Sequence, residues 1–149
     1  MAGLIGQGVR GGVKLTAHAV DRLRPPPRGV TILLYHRVGA GTTSQVDLPL
    51  GLFAEQMAEL AETRRIVSLD QALGELAAAD PPADDPVVIT FDDGTADLVD
   101  QATPVLVEHG IPALLYAATA WIDREEPFWG EGPALGWDAL RDAVATGVW

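Results

Sequence analysis

The sequence predicts an α/β fold with parallel strands and surface helices, and two observations carry that prediction. Apolar runs without polar alternation recur at Val30-Thr31-Ile32-Leu33-Leu34-Tyr35, Val87-Val88-Ile89-Thr90-Phe91 and Ala113-Leu114-Leu115-Tyr116-Ala117, which suits strands covered on both faces. Between them lie stretches with helical apolar spacing, so the order β, α, (β), α, β, α, β, α points to right-handed βαβ units. With 149 residues, 48% of them apolar, the chain has enough apolar surface to offset the entropy of ordering, which excludes general disorder. The absence of cysteine excludes a disulfide scaffold, a zinc ribbon and a thiol nucleophile.

Residues 1–29 read as a basic arm with a proline-rich end. Ile5, Val9, Val13, Ala17 and Val20 fall on a four-residue stripe, with Arg10, Lys14 and Arg24 elsewhere around the wheel, the pattern of a weak interfacial helix making membrane contact through residues 1–24. Gly6, Gly8, Gly11 and Gly12 oppose it, each costing about 1 kcal/mol relative to alanine; a frayed or flank-packed arm is the plainer expectation. Pro25-Pro26-Pro27 then forces extended backbone. No apolar run reaches signal-peptide or membrane-spanning length, which leaves the cytoplasm as the default compartment.

The domain expected over residues 30–149 starts with the first strand, which ends at His36-Arg37-Val38-Gly39. Phe53, Gln56-Met57 and Leu60 keep helical spacing over roughly 50–64, with Glu55, Glu59 and Glu62 outward. Ile66-Val67 is a short strand candidate. Ser68 is placed to cap a helix running to about Ala78 with Leu69, Ala72, Leu73 and Leu76 inward. After an acidic, proline-rich connector, the second long strand runs into Asp92-Asp93-Gly94-Thr95. A helix over about 96–108, with Leu98, Ala102, Val105 and Leu106 inward, ends at His109-Gly110, where glycine takes the left-handed position after the helix. A loop from Trp121 to Trp137 follows the third strand, then a helix from Asp138 to Ala145, and Gly147-Val148-Trp149 begins a further strand.

Charge is divided sharply. Residues 1–37 hold six basic groups against Asp21 alone, a net +5, whereas the remainder holds four basic groups against 20 acidic ones, a net −16. A body this acidic repels a phosphate backbone, so no nucleic-acid partner is expected.

Both chemically interesting clusters, Tyr35-His36 and Asp92-Asp93, sit at carboxyl ends of strands, where ligands gather in such folds. Adjacent carboxylates leaving an apolar strand are costly unless a cation or a proton-transfer role occupies them. A turn at Gly94 can aim both into one pocket; the plainer reading makes Asp93-Gly94 a turn and Asp92 a helix cap. The Asp-Gly-Thr stretch is similar to that of haloacid-dehalogenase-type phosphatases, but their Asp-x-Asp spacing is one residue longer than Asp92-Asp93.

A more extended resemblance joins Ile32 to Val38, Phe53 with Gln56-Met57 and Leu60, Val88 to Gly94, Pro104-Val105-Leu106, His109 to Ala113, and Trp137-Asp138-Ala139-Leu140. By these the chain resembles the polysaccharide deacetylases, the NodB-homology or family-4 carbohydrate esterases, over residues 30–149. The resemblance implies the N-terminal part of an irregular (β/α) barrel and hydrolysis of N-acetyl or O-acetyl groups on a glycan or acetylated amino-sugar polymer. It implies Asp92 as the catalytic base, Asp93 as a ligand of a divalent metal, usually Zn²⁺, and His36 as a substrate-pocket residue. The family's His-x-x-x-His metal motif has no counterpart among His18, His36 and His109, and a catalytic zinc takes three protein ligands. The resemblance therefore implies a shortened, incomplete or inactive domain, or one completed by a partner chain or downstream segment, with an apolar inner face open to water. A non-catalytic glycan binder using Trp121, Trp129 and Trp137, or a membrane-docking remnant, is the alternative.

Overall fold

The computed structural model describes residues 29–80, 84–125, 132 and 135–149. The arm over residues 1–28, its proline stop and Trp129 lie outside these, so the membrane reading stays an expectation. The elements are β1 Thr31–Tyr35, β2 Arg37–Val38, β3 Asp47–Leu48, α1 Leu50–Thr63, α2 Leu69–Ala77, β4 Val87–Asp93, a π-helical turn Leu98–Ala102 leading into α3 Thr103–His109, β5 Ala113–Ala117, α4 Thr119–Arg124 and α5 Trp137–Ala145. The three long strands form one parallel sheet in the order β1-β4-β5, as the buried apolar runs predict. Beside it, β2 and β3 pair in a small parallel ribbon. Ile66 contributes a single parallel bridge to Val87 in place of the expected strand. Beyond β5, the Ala113 amide donates to the Val148 carbonyl at 2.7 Å, which places Gly147-Val148-Trp149 along that edge.

Side chains alternate across a strand, and the two faces of this sheet differ. Leu33, Tyr35, Ile89, Phe91 and Leu115 pack with Phe53 and Met57 of α1 and with Leu98, Ala102, Val105 and Leu106 in the core. Aromatic rings tie this layer together: Tyr35 lies 5.3 Å from Phe53 and 5.4 Å from Phe91, and Phe91 lies 5.1 Å from Trp149, mostly in edge-to-face geometry. On the other face Val88 and Thr90 of the central strand are buried, yet Ile32, Leu34 and Tyr116 of the flanking strands are 55%, 53% and 53% exposed. The expectation that β1 is covered on both faces is thus corrected. Only its helix-side face is packed, and the opposite apolar face is open, as expected for part of a barrel.

α2 also departs from expectation. Its cap is as predicted, with the Ser68 side chain accepting from the Gln71 amide at 3.2 Å. However, Leu73 and Leu76 are exposed, and of the helix only Ala72 is fully buried. Arg65 grips Glu75 through two bonds of 2.8 and 2.9 Å, and Leu69 and Ala72 pack on Val67 and Val88. The helix is therefore fixed with its leucine flank outward.

In the helix after β4, all four residues expected inward are buried, but its first part is π-helical. Pro104 has no amide to donate, and the Thr103 amide and hydroxyl both turn to the Leu98 carbonyl; such wide turns recur near functional sites. Gly110 closes α3 at φ 61°, as predicted. The expected loop after β5 begins instead with the short helix α4.

Phe91→Ala is expected to lower stability in urea unfolding by about 3–5 kcal/mol, because it removes the ring shared by three aromatic contacts. Leu34→Ala on the open face should change it by about 0.5 kcal/mol or less. Equal losses at the two positions would contradict the one-sided core.

Candidate functional site

The ladder between β1 and β4 ends at Tyr35 and Phe91, while β4 stays paired to β5 through Asp92 and Asp93. The two carboxylates thus leave the sheet one step above the end of β1, beside His36. By alternation Asp92 follows Val88 and Thr90 onto the open face. Asp93 then adopts φ 74° and Gly94 φ 84°, and the Gly94 amide donates back to the Asp92 carbonyl at 2.9 Å. A three-residue turn around a non-glycine residue at positive φ is uncommon and strained, and such strain clusters at functional positions. Flanking segments hold it in place: the Ala118 amide donates to the Asp93 carbonyl at 2.8 Å, and the Leu135 amide to the Gly94 carbonyl at 3.0 Å.

Of the sequence-predicted site residues, the structure brings His36 to Asp92, with Nε2 3.9 Å from Oδ2 and both side chains about one-third exposed. Burial pushes the Asp93 carboxyl above its ordinary range; charge on His36 opposes this and Asp92 reinforces it. The three side chains form one electrostatic cluster at the carboxyl end of the sheet. His109 is the last residue of α3, a favourable place for a cation, and is remote in sequence from this cluster.

Residues that sequence reasoning missed frame the cluster. Arg37 is buried, and its Nε and Nη2 donate to Asp97 Oδ1 at 3.3 and 3.2 Å. The Val38 amide donates to the other oxygen, Oδ2, at 2.9 Å. A signal existed, since Arg37 is the sole arginine or lysine between Gly29 and Thr63, and an arginine leaving an apolar strand requires an acid. Asp47 organises the following loop, accepting from the amides of Ala40 and Thr42 at 3.1 and 2.7 Å and from the Thr42 hydroxyl at 3.0 Å. Burial pushes its carboxyl upward, but these bonds and Arg37 outweigh it and hold the group below its ordinary range.

Arg37 lines two clefts. One of about 610 Å³ is lined by Arg37, Asp97, Asp100, Gln101 and the loop from Gly39 to Thr43. The other, about 490 Å³, is lined by His36, Tyr35 and residues 45–49. Asp92 and Asp93 line neither. Among the described residues no group of three or more His, Cys, Asp or Glu side chains is placed to hold a metal ion, whereas a catalytic zinc takes three protein ligands. Trp137 at the start of α5 is 40% exposed and donates from Nε1 to Asp123 at 2.9 Å. No helix among the described residues is long and apolar enough to cross a membrane.

Comparison with known proteins gives one consistent result. Residues 79–149 match the family model for polysaccharide deacetylase. The fold is similar to IcaB from Ammonifex degensii, with 28% identity and a TM-score of 0.70 over 82% of this chain and 51% of that one. It is similar to the Streptococcus pyogenes deacetylase PplD in complex with acetate, with 20% identity and a TM-score of 0.66 over 81% of this chain and 54% of that one. A de-N-acetylase from Aggregatibacter actinomycetemcomitans aligns at 23% identity and a TM-score of 0.65, over 80% of this chain and 52% of that one. The chain therefore spans about half the length of the solved structures it matches. No curated protein matches it in sequence.

The raised carboxyl of Asp93 gives a signed expectation. The folded state holds the Asp93 proton to higher pH than the unfolded chain, so this group's stability contribution is fully present below the unfolded value near 4 and is lost as pH rises through the folded one. Asp93→Asn, which also tolerates positive φ, should raise the melting temperature at pH 7, and the gain should vanish below about pH 3.5. A melting temperature lowered at pH 7 would contradict the burial of that carboxylate.

Proposed function

We propose that the chain, whose residues 79–149 match the polysaccharide deacetylase family model and whose fold is similar to about half of a deacetylase-type structure, supplies the base-bearing half of a site that hydrolyses N-acetyl or O-acetyl groups on a glycan. The observation that carries this reading is the junction of Asp92, Asp93 and His36 at the carboxyl end of the central strand. In this reading Asp92, partly exposed on the open face, takes the proton of the water that attacks the acetyl carbonyl. Acetate leaves and the sugar amine or hydroxyl is freed. General-base assistance of this kind contributes about 10²–10⁴-fold. His36 borders both Asp92 and the smaller cleft, which suits a side chain that orients substrate beside the base.

Asp93 is the residue that would offer an oxygen to a divalent metal such as Zn²⁺. The described residues fall short of three donors, so the remaining ligands would come from outside the described residues. A second reading, glycan binding without turnover, draws on the exposed rings of Trp137 and Tyr116, whose apolar faces suit sugar stacking.

Two measurements test the proposal. Titrating an acetylated glucosamine oligomer into the isotope-labelled chain should shift the amides of His36 and of Asp92 to Gly94, and the deacetylated oligomer should shift them less. Shifts confined to the surroundings of Trp137 and Tyr116 would favour binding without a deacetylase site. Acetate release by the purified chain with added Zn²⁺ should stay at the level of an Asp92→Asn control; robust turnover by a monomer would overturn the incomplete metal site.

A further inference from the structure

We propose that Asp97, acting with Arg37, is a positioning residue that sets the distance between His36 and Asp92. The backbone ladder cannot do this, because its last β1–β4 pair is Tyr35 with Phe91 and both His36 and Asp92 lie one residue beyond it. Past that point, the carboxylate of Asp97 is a direct tie between the two chain segments. Its two oxygens serve two successive residues on the His36 side: Oδ1 accepts from the Arg37 guanidinium and Oδ2 from the Val38 amide. On the other side Asp97 lies four residues after Asp93, just before the π-helical turn, so it moves with the strained turn that carries both candidate acids.

The pair is well suited to that task. The side chains of Arg37 and Asp97 are each only 8% exposed, so water screens them little. A charge-assisted contact that includes the guanidinium Nε fixes orientation as well as distance. Gly132 lies close to the arrangement: a Cβ there would stand 3.0 Å from Arg37 Nη2, so a larger residue at that position would press on the guanidinium. A rigid support beneath residues that meet across two elements is what a reacting pair needs, since geometry errors of about 1 Å cost orders of magnitude in rate.

The importance of this tie for chemistry rests on the reading of Asp92 as the base, but the tie itself does not, and its test reads geometry alone. In the full chain, the ring ¹⁵N resonances of His36 report its neighbours. At one fixed pH, Asp92→Asn should move the His36 ring signals in the wild-type background. The same substitution should leave them unmoved, or shifted by less than half as much, once Asp97→Asn has loosened the tie. An equal response in both backgrounds, with the amide spectrum showing a folded chain, would overturn the inference. Should Asp97→Asn fail to fold, Arg37→Lys serves in its place: it keeps the charge and the Val38 bond and loses the guanidinium geometry, and it should weaken the His36 response while Asp97 still accepts from Val38. An undiminished response in Arg37→Lys would overturn it equally. Failure of an acetylated glucosamine oligomer to shift the amides of His36 and of Asp92 to Gly94, with the His36 ring result as expected, would count against the proposed function and leave the positioning role standing.

Discussion

The site depends on β4 lying in the middle of the sheet. A strand paired on both sides and buried over its first five residues is the best-anchored segment available, and it alone can carry two adjacent carboxylates out of an apolar interior without slipping. The flanking strands have one open face or edge each, and they contribute less to that anchor. The aromatic layer beneath, with Phe91 touching Tyr35, Phe53 and Trp149, fixes the end of β4 from below. Rigidity is therefore greatest immediately before the turn at Asp93 and Gly94, where the backbone is strained.

Much of this was legible in the sequence because burial on a central strand leaves a continuous apolar run, and Val87 to Phe91 is such a run. The helix spacing of Phe53 and Met57, the cap at Ser68 and the left-handed Gly110 were readable for equally local reasons. That His36 and Asp92 both end parallel strands was readable, but their meeting depends on the order β1-β4-β5, which no local pattern specifies. The clustering of Asp93 with them followed from the Gly94 turn, although the positive φ falls on Asp93 itself as well as on the glycine.

What the sequence concealed was long-range. The bond between Arg37 and Asp97 spans 60 positions, and no local pattern announces it. Leu73 and Leu76 carry the helical spacing of a core-facing stripe, yet the ion pair between Arg65 and Glu75 settles the orientation of α2 otherwise. Ile32 and Leu34 read as fully buried because a strand in a complete barrel would have the same composition. Their exposure here accompanies a fold that matches only about half the length of the deacetylase structures it is similar to. Composition records the environment a residue is suited to, and the neighbours that provide it need not be near in sequence.

Amide hydrogen exchange along the sheet tests the account most directly, since it reads how firmly each strand is held. The account predicts that, among the described residues, the amides from Val88 to Asp92 exchange slowest, with those of Thr31 to Tyr35 markedly faster and those of the loop at Ser44 and Gln45 faster still. Exchange of the Val88 to Asp92 amides at the rate of that loop would contradict a site built on a rigid central strand.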